Sequence, residues 1–337
     1  MRAPQARAET RTAGPAPPVA AVRVAVRRAL TGLPGTGPVL VACSGGADSL
    51  ALAAATAFVA RRLGRRAGLV TVDHGLQPGS AERAEVVAGW AREQGLAPVE
   101  AVSVRVAGRP GGPEAAAREA RYEALVDAAR RHDASGVLLG HTRDDQAETV
   151  LLALARGAGP RGLAGMPERR ELGGVPLLRP LLEIAREDTR KACAALGLTP
   201  WDDPHNADPA YARSRVRADA LPALVAALGP GVVDNLARTA RQVAADTAAL
   251  DALATFALAD VRAAAGGLAV EALVPLPAAI RTRVLHAWAR ELGASPAALS
   301  HRHVAALDAL VTDWHGQGAV HLPGGLPVVR RDGRLTT

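Results

Sequence analysis

The sequence is poor in aromatic residues, in cysteine and in lysine. Only 2% of its 337 residues are Phe, Trp or Tyr, so the core must be aliphatic and few rings are available to stack on bases. The two cysteines, Cys43 and Cys193, form no C-x-x-C pair, which gives no support to a disulfide framework or a zinc ribbon. We therefore expect a protein of the reducing cytoplasm. Lys191 is the single lysine, so arginine supplies nearly all of the positive charge.

Long apolar runs are missing as well. No run reaches the ~18 residues that a membrane span needs, so we expect no membrane partner. Residues 1–18 are rich in Pro, Ala and Arg without an apolar segment, which predicts a disordered extension rather than a signal peptide. The net charge is +7, but six arginines and one glutamate among residues 1–28 account for +5, leaving +2 for the rest. Any nucleic-acid surface therefore depends on local clusters of arginine.

A strand that leads directly into a helix is predicted around the sequence Ser44-Gly45-Gly46-Ala47-Asp48-Ser49. The glycines lack Cβ, so the backbone can turn sharply, and the helix start offers N–H groups to an anion. The spacing differs from the dinucleotide-fold and P-loop patterns. It matches Ser-Gly-Gly-x-Asp-Ser, the pyrophosphate loop of enzymes that split ATP between its α- and β-phosphates. The alternative is an ordinary turn, in which Asp48 caps the helix instead of orienting donors and Mg²⁺.

Three further strands alternate with helices up to residue 156. They are predicted at 67–72, 98–106 and 136–140, which indicates a doubly wound parallel sheet. Ligands of such sheets bind outside the carboxyl ends of the strands. Asp73 and His74 follow one of these ends, where they either bind a ligand or form a turn and a helix cap.

Three carboxylates lie within five positions after the fourth predicted strand. Asp145 and Glu148 share one face of a helix, whereas Asp144 and Asp145 could also serve the helix dipole alone. Burial of Asp145 and Glu148 beside each other is expected to raise the pKa of one of them. On the preceding helix, Arg118 and Arg121 share a face and either bind a ligand or meet solvent.

From residue 38 to 222 the chain resembles the tRNA(Ile)-lysidine synthetases, a family of the pyrophosphate-loop ATPases. The matching motifs, in family order, are Ser44 to Ser49, Val72 to Leu76, Ala117-Arg118 with Arg121-Tyr122, Gly140-His141 with Asp144 to Thr149, Arg156 to Gly159, Gly162 to Met166, Arg179 to Leu182, Trp201, Asp203, Asn206, Asp208, Tyr211 to Arg213, and Val216-Arg217. Three positions depart from the family's usual residues: Thr142 replaces a second His, His205 replaces Ser and Ser214 replaces Asn. We expect the short form of the family, without a further C-terminal domain.

The resemblance implies an adenine nucleotide α-hydrolase-like fold and a ligase that forms a carbon–nitrogen bond. ATP adenylates the oxygen on carbon 2 of the wobble cytidine in the minor isoleucine tRNA (CAU anticodon), and pyrophosphate leaves. The ε-amine of L-lysine then attacks that carbon and AMP leaves. The expected site residues are Ser44, Gly45, Gly46, Ala47, Asp48, Ser49, Asp73, His74 and His141 for ATP, Asp48 and Asp145 for Mg²⁺, and Asp48, Asp145, Glu148, Arg118, Arg121 and Arg213 for catalysis.

Within this scheme, Asp145 lies nearer the nucleotide and Glu148 is the better candidate for the lysine amine. The arginines clamp phosphate or base, and their individual roles stay open. The predicted domains are a catalytic one at 19–228 and a helical, tRNA-binding one at 229–337, with helices at 232–256, 277–292 and 296–311 and a hairpin at 318–329. The arginines of 156–191 and 213–217 are either tRNA surfaces or solvated faces.

Two other functions are compatible with the same loop. A tRNA 2-thiolation enzyme would use it, but such enzymes typically carry paired cysteines, which this chain lacks. A catalytically silent nucleotide sensor would not need Asp145 and Glu148. The oligomeric state is left open, with a homodimer as one alternative.

Overall fold

The computed structural model describes residues 14–75, 79–106, 112–203, 208–264, 266–295 and 298–337. Leu76, His205 and most of the predicted N-terminal extension lie outside these residues. The chain forms two units, Met1–Arg241 and Gln242–Thr337. The division between them falls inside one long helix, rather than at the predicted boundary between 228 and 229.

The amino-terminal unit alternates strands and helices. Its strands are β1 (Val39–Ala42), β2 (Ala67–Asp73), β3 (Val99–Ser103), β4 (Gly136–Leu139), β5 (Arg169–Leu172) and β6 (Val175–Leu178). Its helices are α1 (Pro17–Thr31), α2 (Ala47–Arg62), α3 (Ser80–Glu93), α4 (Pro113–Arg131), α5 (Arg143–Ala155), α6 (Pro160–Leu163), α7 (Arg186–Ala195), α8 (Ala212–Arg215), a π-helical turn (Val216–Ala220) and α9 (Leu221–Leu228). The long helix α10 (Val232–Asp260) follows.

The six strands form one sheet in the order β3-β2-β1-β4-β6-β5. All neighbouring pairs are parallel except β5 with β6, which is antiparallel. The predicted doubly wound parallel sheet is therefore confirmed. The strand order reverses at β1, which pairs with β2 on one side and β4 on the other, and open sheets of this kind bind ligands at that switch point.

The sheet is covered on both faces because the side chains of a strand alternate between the two sides. In β1, Val39 and Val41 belong to a core with α1, α2, α3 and α7, whereas Leu40 belongs to a second core with α4. All three side chains are fully buried. The short apolar strand is thereby held on both faces, and its carboxyl end is fixed in place.

The pair β5 and β6 was not predicted. Both strands are four residues long, β5 is mostly exposed, and β6 contains Pro176, so neither has the long alternating pattern that indicates a strand. Residues Val175–Leu178 form a strand because they pair with β4, with Val137 and Leu138 in register with Leu177 and Leu178. The consequence for function is that α7, which follows β6, begins at the same edge as the other ligand-facing helices.

The carboxy-terminal unit begins within α10. It adds α11 (Val270–Leu273), α12 (Ala278–Glu291) and α13 (His301–Thr312), together with an antiparallel sheet in the order β7 (Leu268–Ala269), β10 (Arg334–Thr336), β9 (Leu326–Arg331) and β8 (Val320–Leu322). The helices α10, α12 and α13 and the hairpin of β8 and β9 correspond to the predicted elements, whereas α11, β7 and β10 were not predicted. A bidentate ion pair joins α12 to α13: Arg281 Nε lies 2.6 Å from Asp308 Oδ1, and Nη2 lies 3.2 Å from Oδ2.

Among the described residues, no single helix has the length and apolar composition to cross a membrane. One bent pair of helices, Ala212–Leu228 with Val232–Asp260, meets the length and composition limits when the two are taken together.

Candidate active site

A cavity of about 700 Å³ opens at the carboxyl ends of β1, β2 and β4, within the range of ligand sites. It lies wholly in the amino-terminal unit. The expected site residues that line it are Ser44, Gly46, Ala47, Asp48, Ser49, His74, Arg118, Arg121, His141, Asp145 and Arg213. The structure thus brings together residues from five separate stretches of the sequence. Gly45, Asp73 and Glu148 are not among the lining residues in the described part of the chain.

The loop from Ser44 to Ser49 is held in shape by its own hydrogen bonds. The Ser49 hydroxyl accepts the Ser44 N–H at 3.2 Å and donates to the Gly46 carbonyl oxygen at 2.9 Å. Gly45 has a φ of +87°, which favours glycine. Its carbonyl oxygen accepts the N–H of Trp201 at 3.0 Å. The loop therefore keeps a fixed turn that leads the chain into the first turn of α2.

Gly140, at the end of β4, allows the sheet to approach this loop closely. A Cβ at that position would lie 3.2 Å from both the backbone carbon of Asp48 and the nitrogen of Ser49. The first N–H groups of α2 point toward the cavity end of the helix, where they and the helix dipole favour an anion. The chemistry of this cradle fits the phosphates of a nucleotide.

Asp48 lies in the first turn of α2 and reaches α7. Burial raises the pKa of Asp48 to about 6, although a hydrogen bond from the Thr189 hydroxyl lowers it and the charge of Asp145 raises it further. Arg186 Nε is 3.7 Å from Asp48 Oδ2, too far for a strong ion pair. Asp48 thus lines the cavity with its Oδ1 accepting from Thr189 and the nearest arginine nitrogen 3.7 Å from its Oδ2.

Asp145 lies in the first turn of α5 and is surrounded by donors. Its Oδ2 accepts the backbone N–H and the hydroxyl of Thr142 at 2.8 and 2.9 Å, which forms a capping box. Burial alone would raise the pKa of Asp145, but Arg186, Arg213 and the Thr142 N–H together hold it at about 2. The expectation that burial raises the pKa of one of the pair is wrong for Asp145, because arginines neutralise it.

Glu148 lies one turn further along α5 and is completely buried. Its Oε1 accepts from Arg186 Nη2 at 3.1 Å and from Arg217 Nε at 2.8 Å. Its Oε2 accepts from Arg213 Nε at 2.8 Å and from Arg217 Nη2 at 3.1 Å. Asp145 and Glu148 do share one helical face, as predicted, and the same three arginines contact both.

Four other expected residues have distinct surroundings. Arg118 and Arg121 flank Tyr122, at 5.2 and 5.7 Å from the centre of its ring. Burial lowers the pKa of His141 to about 3, so the ring is neutral, and its buried Nδ1 has no partner among the described residues. Asp73 accepts the N–H of Gly75 at 2.9 Å, which is the turn that the sequence analysis gave as the alternative.

The sequence analysis did not place Arg186 or Thr189, two residues of α7, in the site. Arg186 belongs to the segment 156–191, whose arginines were predicted to be tRNA surfaces or solvated faces. Arg186 contacts all three carboxylates, Asp48, Asp145 and Glu148, and lines the cavity. Thr189 is fully buried and donates to Asp48. Because β6 was not predicted, nothing indicated that α7 begins at the ligand-facing edge of the sheet. The polar residues that open α7 would have been the signal.

Comparison with known proteins identifies the family. The model of the PP-loop domain matches residues 23–224, and that of the TilS substrate binding domain matches residues 268–336. A tRNA(Ile)-lysidine synthase from Salinispora tropica is 75% identical over 95% of this chain and 96% of its own. The chain belongs to the tRNA(Ile)-lysidine synthase family. A second member, from Thermobifida fusca, is 58% identical over 96% of this chain and 98% of its own.

A solved structure with a similar fold is the U34-tRNA thiolase NcsA from Methanococcus maripaludis with its [4Fe-4S] cluster. The TM-score is 0.56 at 18% sequence identity, over 67% of this chain and 80% of the thiolase. At this identity the likeness concerns the fold alone. The two cysteines of the present chain are both free and buried.

Proposed function

We propose that this protein is a tRNA(Ile)-lysidine synthase, a ligase that uses ATP to join L-lysine to the wobble cytidine of the minor isoleucine tRNA. The observation that carries the proposal is the 75% identity to a synthase of that name over nearly the whole of both chains. Replacing the cytidine by lysidine changes the decoding and the charging of the tRNA from methionine to isoleucine. The products from ATP are AMP and pyrophosphate.

The first half-reaction takes place at the loop of Ser44 to Ser49. The leaving pyrophosphate is negatively charged, and the loop and the start of α2 present N–H and hydroxyl donors in a preorganised turn. His141 lines the same cavity, and its neutral ring supplies a further polar contact for the nucleotide. Arg118 and Arg121 line the same cavity and contribute positive charge. These groups bind and orient ATP for attack by the cytidine oxygen.

Mg²⁺ is the metal that accompanies such phosphates, and it neutralises their charge when bound. No group of three or more His, Cys, Asp or Glu side chains within the described residues forms a metal site. The residues present fit an ion held mainly by phosphate oxygens, with Asp48, which lines the cavity, as a protein ligand. Asp145, the other predicted ligand, binds the ion only if its arginine partners move away, because both of its oxygens accept hydrogen bonds.

The second half-reaction needs the ε-amine of lysine beside carbon 2 of the cytidine. An ammonium group is attracted by carboxylates, and Asp145 and Glu148 are the acidic pair at this end of the cavity. We assign the amine to this pair, with Glu148 as the principal partner. Arg213 contacts both carboxylates and holds them together on one face of α5; of the two, Asp145 lines the cavity and Glu148 lies buried behind it.

The tRNA is held by surfaces outside the cavity. The TilS substrate binding domain at residues 268–336 is one such surface. Arg169 and Arg170 on the exposed strand β5 are another, since they lie apart from the acidic pair and face solvent. The free thiols of Cys43 and Cys193 and a tRNA substrate both support a cytoplasmic location.

The decisive experiment separates the two half-reactions. The full chain is incubated with the minor isoleucine tRNA, Mg²⁺ and ATP labelled at the α-phosphate, and then with labelled lysine. We expect label from ATP to appear on the tRNA before lysine is added, and to leave as AMP as lysine is incorporated. Sulfur transfer to the tRNA, or ATP cleavage without lysine incorporation, would contradict the proposal.

A further inference from the structure

The acceptor capacity of Glu148 is fully used in the ligand-free protein. An ionised carboxylate has about four lone-pair sites, and Glu148 accepts four hydrogen bonds from three guanidinium groups. Its side chain has no exposed surface. A lysine ammonium that approached from the cavity would find no oxygen of Glu148 free to accept a hydrogen bond from it. Lysine therefore reaches Glu148 only if one arginine leaves.

The charges in the cluster lead to the same conclusion. Three carboxylates, Asp48, Asp145 and Glu148, contact three arginines, and the formal charges balance. An added ammonium would leave one excess positive charge in a buried site, which is costly. Departure of one guanidinium restores the balance. That guanidinium needs a new anion, and the phosphates of ATP are the anions that enter this cavity under the proposed function.

Arg217 is the arginine best placed to leave. Its side chain is 33% exposed, against 25% for Arg213 and 17% for Arg186. Arg186 donates to both Asp145 and Glu148 and is the least exposed of the three, and Arg213 also donates to the backbone oxygen of Asp145 at 3.1 Å. The contacts of Arg217 in the cluster all go to carboxylate oxygens. It also lies in the π-helical turn, a type of irregularity that is frequent at functional sites.

We propose that Arg217 occupies the amine site of lysine in the free enzyme and controls when lysine binds. Its guanidinium forms a fork with both oxygens of Glu148, at 2.8 and 3.1 Å, in the place that the ammonium is to take. When ATP enters, Arg217 turns toward the phosphates, since it lines the same cavity as the Ser44 loop. Glu148 is then open to lysine. The inference rests on the proposed function, because it takes lysine as the amine.

This exchange would make lysine bind after the nucleotide. Without nucleotide, Arg217 competes with lysine from within the protein, so free lysine is bound weakly. With nucleotide bound, the competitor is withdrawn, so that lysine can bind in time for the second half-reaction. If the open state makes up about 1–10% of the free enzyme, the apparent affinity for lysine is reduced about tenfold to a hundredfold.

The test is equilibrium binding of labelled lysine to the full chain, without tRNA. For the wild type, we expect Mg²⁺ and an ATP analogue that cannot be cleaved between the α- and β-phosphates to tighten lysine binding at least about tenfold. For Arg217→Gln, we expect lysine to bind about tenfold to a hundredfold more tightly than to the wild type, even without the analogue. Arg186 and Arg213 still neutralise Glu148 in this variant, so the fold should persist.

Two further variants serve as controls. Arg215→Gln removes the same charge two residues away, but Arg215 donates to the carbonyl oxygens of Pro209 and Ala210, so lysine affinity should not change. Arg217→Lys keeps the charge and loses the fork, and should tighten lysine binding by only a few-fold. If Arg217→Gln fails to fold, the proposal is still tested by the lysine affinity of Arg217→Lys and by the effect of the ATP analogue on the wild type.

The inference is overturned if Arg217→Gln binds lysine no more tightly than the wild type. It is also overturned if the ATP analogue does not change the lysine affinity of the wild type. A gain that appears equally in Arg215→Gln also overturns it, because the effect is then one of general charge. The proposed function fails in a different assay. A wild type that never incorporates lysine into tRNA contradicts the function, whereas a wild type that does so while Arg217→Gln shows no gain contradicts the exchange alone.

Discussion

Asp48 and Asp145 occupy equivalent places in the fold, but their pKa values are shifted in opposite directions. Each lies in the first turn of a helix that follows a parallel strand, and both strands belong to the switch point of the sheet. Burial raises the pKa of Asp48 to about 6. At Asp145 burial acts in the same direction, but Arg186, Arg213 and the Thr142 N–H outweigh it and hold the pKa at about 2.

This difference shows that a position at the start of a helix does not by itself set the pKa of a carboxylate. The pKa depends on the hydrogen-bond donors and charges that other elements place around it. Asp48 has one hydrogen bond from Thr189, and Arg186 Nε lies 3.7 Å from its other oxygen. Asp145 has its charge compensated by Arg186, Arg213 and Arg217. The two carboxylates therefore differ in how far arginines compensate their charge.

The largest expected effect is on catalysis, at Asp48. Asp48→Ala should reduce pyrophosphate release at least about a hundredfold, since the developing phosphate charge loses the carboxylate that holds its counter-ion. The measurement is pyrophosphate release with tRNA and ATP. Glu187→Ala, which removes an exposed carboxylate paired with Lys191 on α7, is the control and should stay near the wild-type rate. A fully active Asp48→Ala enzyme would show that the loop is structural only.

The next effect is on stability, at Asp145. The pKa of Asp145 is lowered from 3.8 to about 2, so its ionised form stabilises the fold above pH 4, and this contribution disappears as the pH falls toward 2. Asp145→Asn should therefore lower the free energy of unfolding by about 2–3 kcal/mol at pH 7. Urea unfolding followed by circular dichroism measures it. An unchanged stability at pH 7 would mean that the arginines contribute nothing through Asp145.

Asp48 should show the opposite sign. Its pKa is raised from 3.8 to about 6, so the folded protein binds more protons than the unfolded chain between these values, and wild-type stability falls as the pH rises through this window. Asp48→Asn should raise the free energy of unfolding by about 3 kcal/mol at pH 7.5 in EDTA. The gain should vanish near pH 4. A loss of stability in this variant would remove the contrast between the two carboxylates.

The smallest expected effect is on the salt dependence of tRNA binding, and it concerns exposed arginines outside the carboxylate cluster. Arg213 and Arg217 hold Glu148, so charge reversal there would disturb the site as well as any tRNA surface. Arg169→Gln and Arg170→Gln on β5 avoid that problem. If each of these arginines binds one phosphate of the tRNA, each substitution should flatten the slope of log K against log salt by ~0.7–0.9. Arg131→Gln, whose side chain pairs with Glu100 at 2.6 Å, should leave the slope unchanged.

Much of the fold could be predicted because its signals are local. Apolar β-branched runs, the glycines at 45 and 46, and the three-residue spacing of Asp145 and Glu148 all depend on neighbouring residues, and each led to the correct element or face. The pair β5 and β6 could not be predicted, since four-residue strands are defined by their partners. Arg186 and Thr189 were missed for that reason. Their helix takes its place from β6.

By itself, the sequence determined the alternation of strands and helices up to α5, the glycine turn at Gly45 and Gly46, and the presence of an acidic pair on one face of α5, because backbone preference and helical periodicity act over a few residues. Only the tertiary structure decided which carboxylate is free. Arg186, Arg213 and Arg217 come from segments that follow Asp145 and Glu148 by tens of residues, and their charges act through space over a few ångströms. The acidity of each carboxylate follows from that packing.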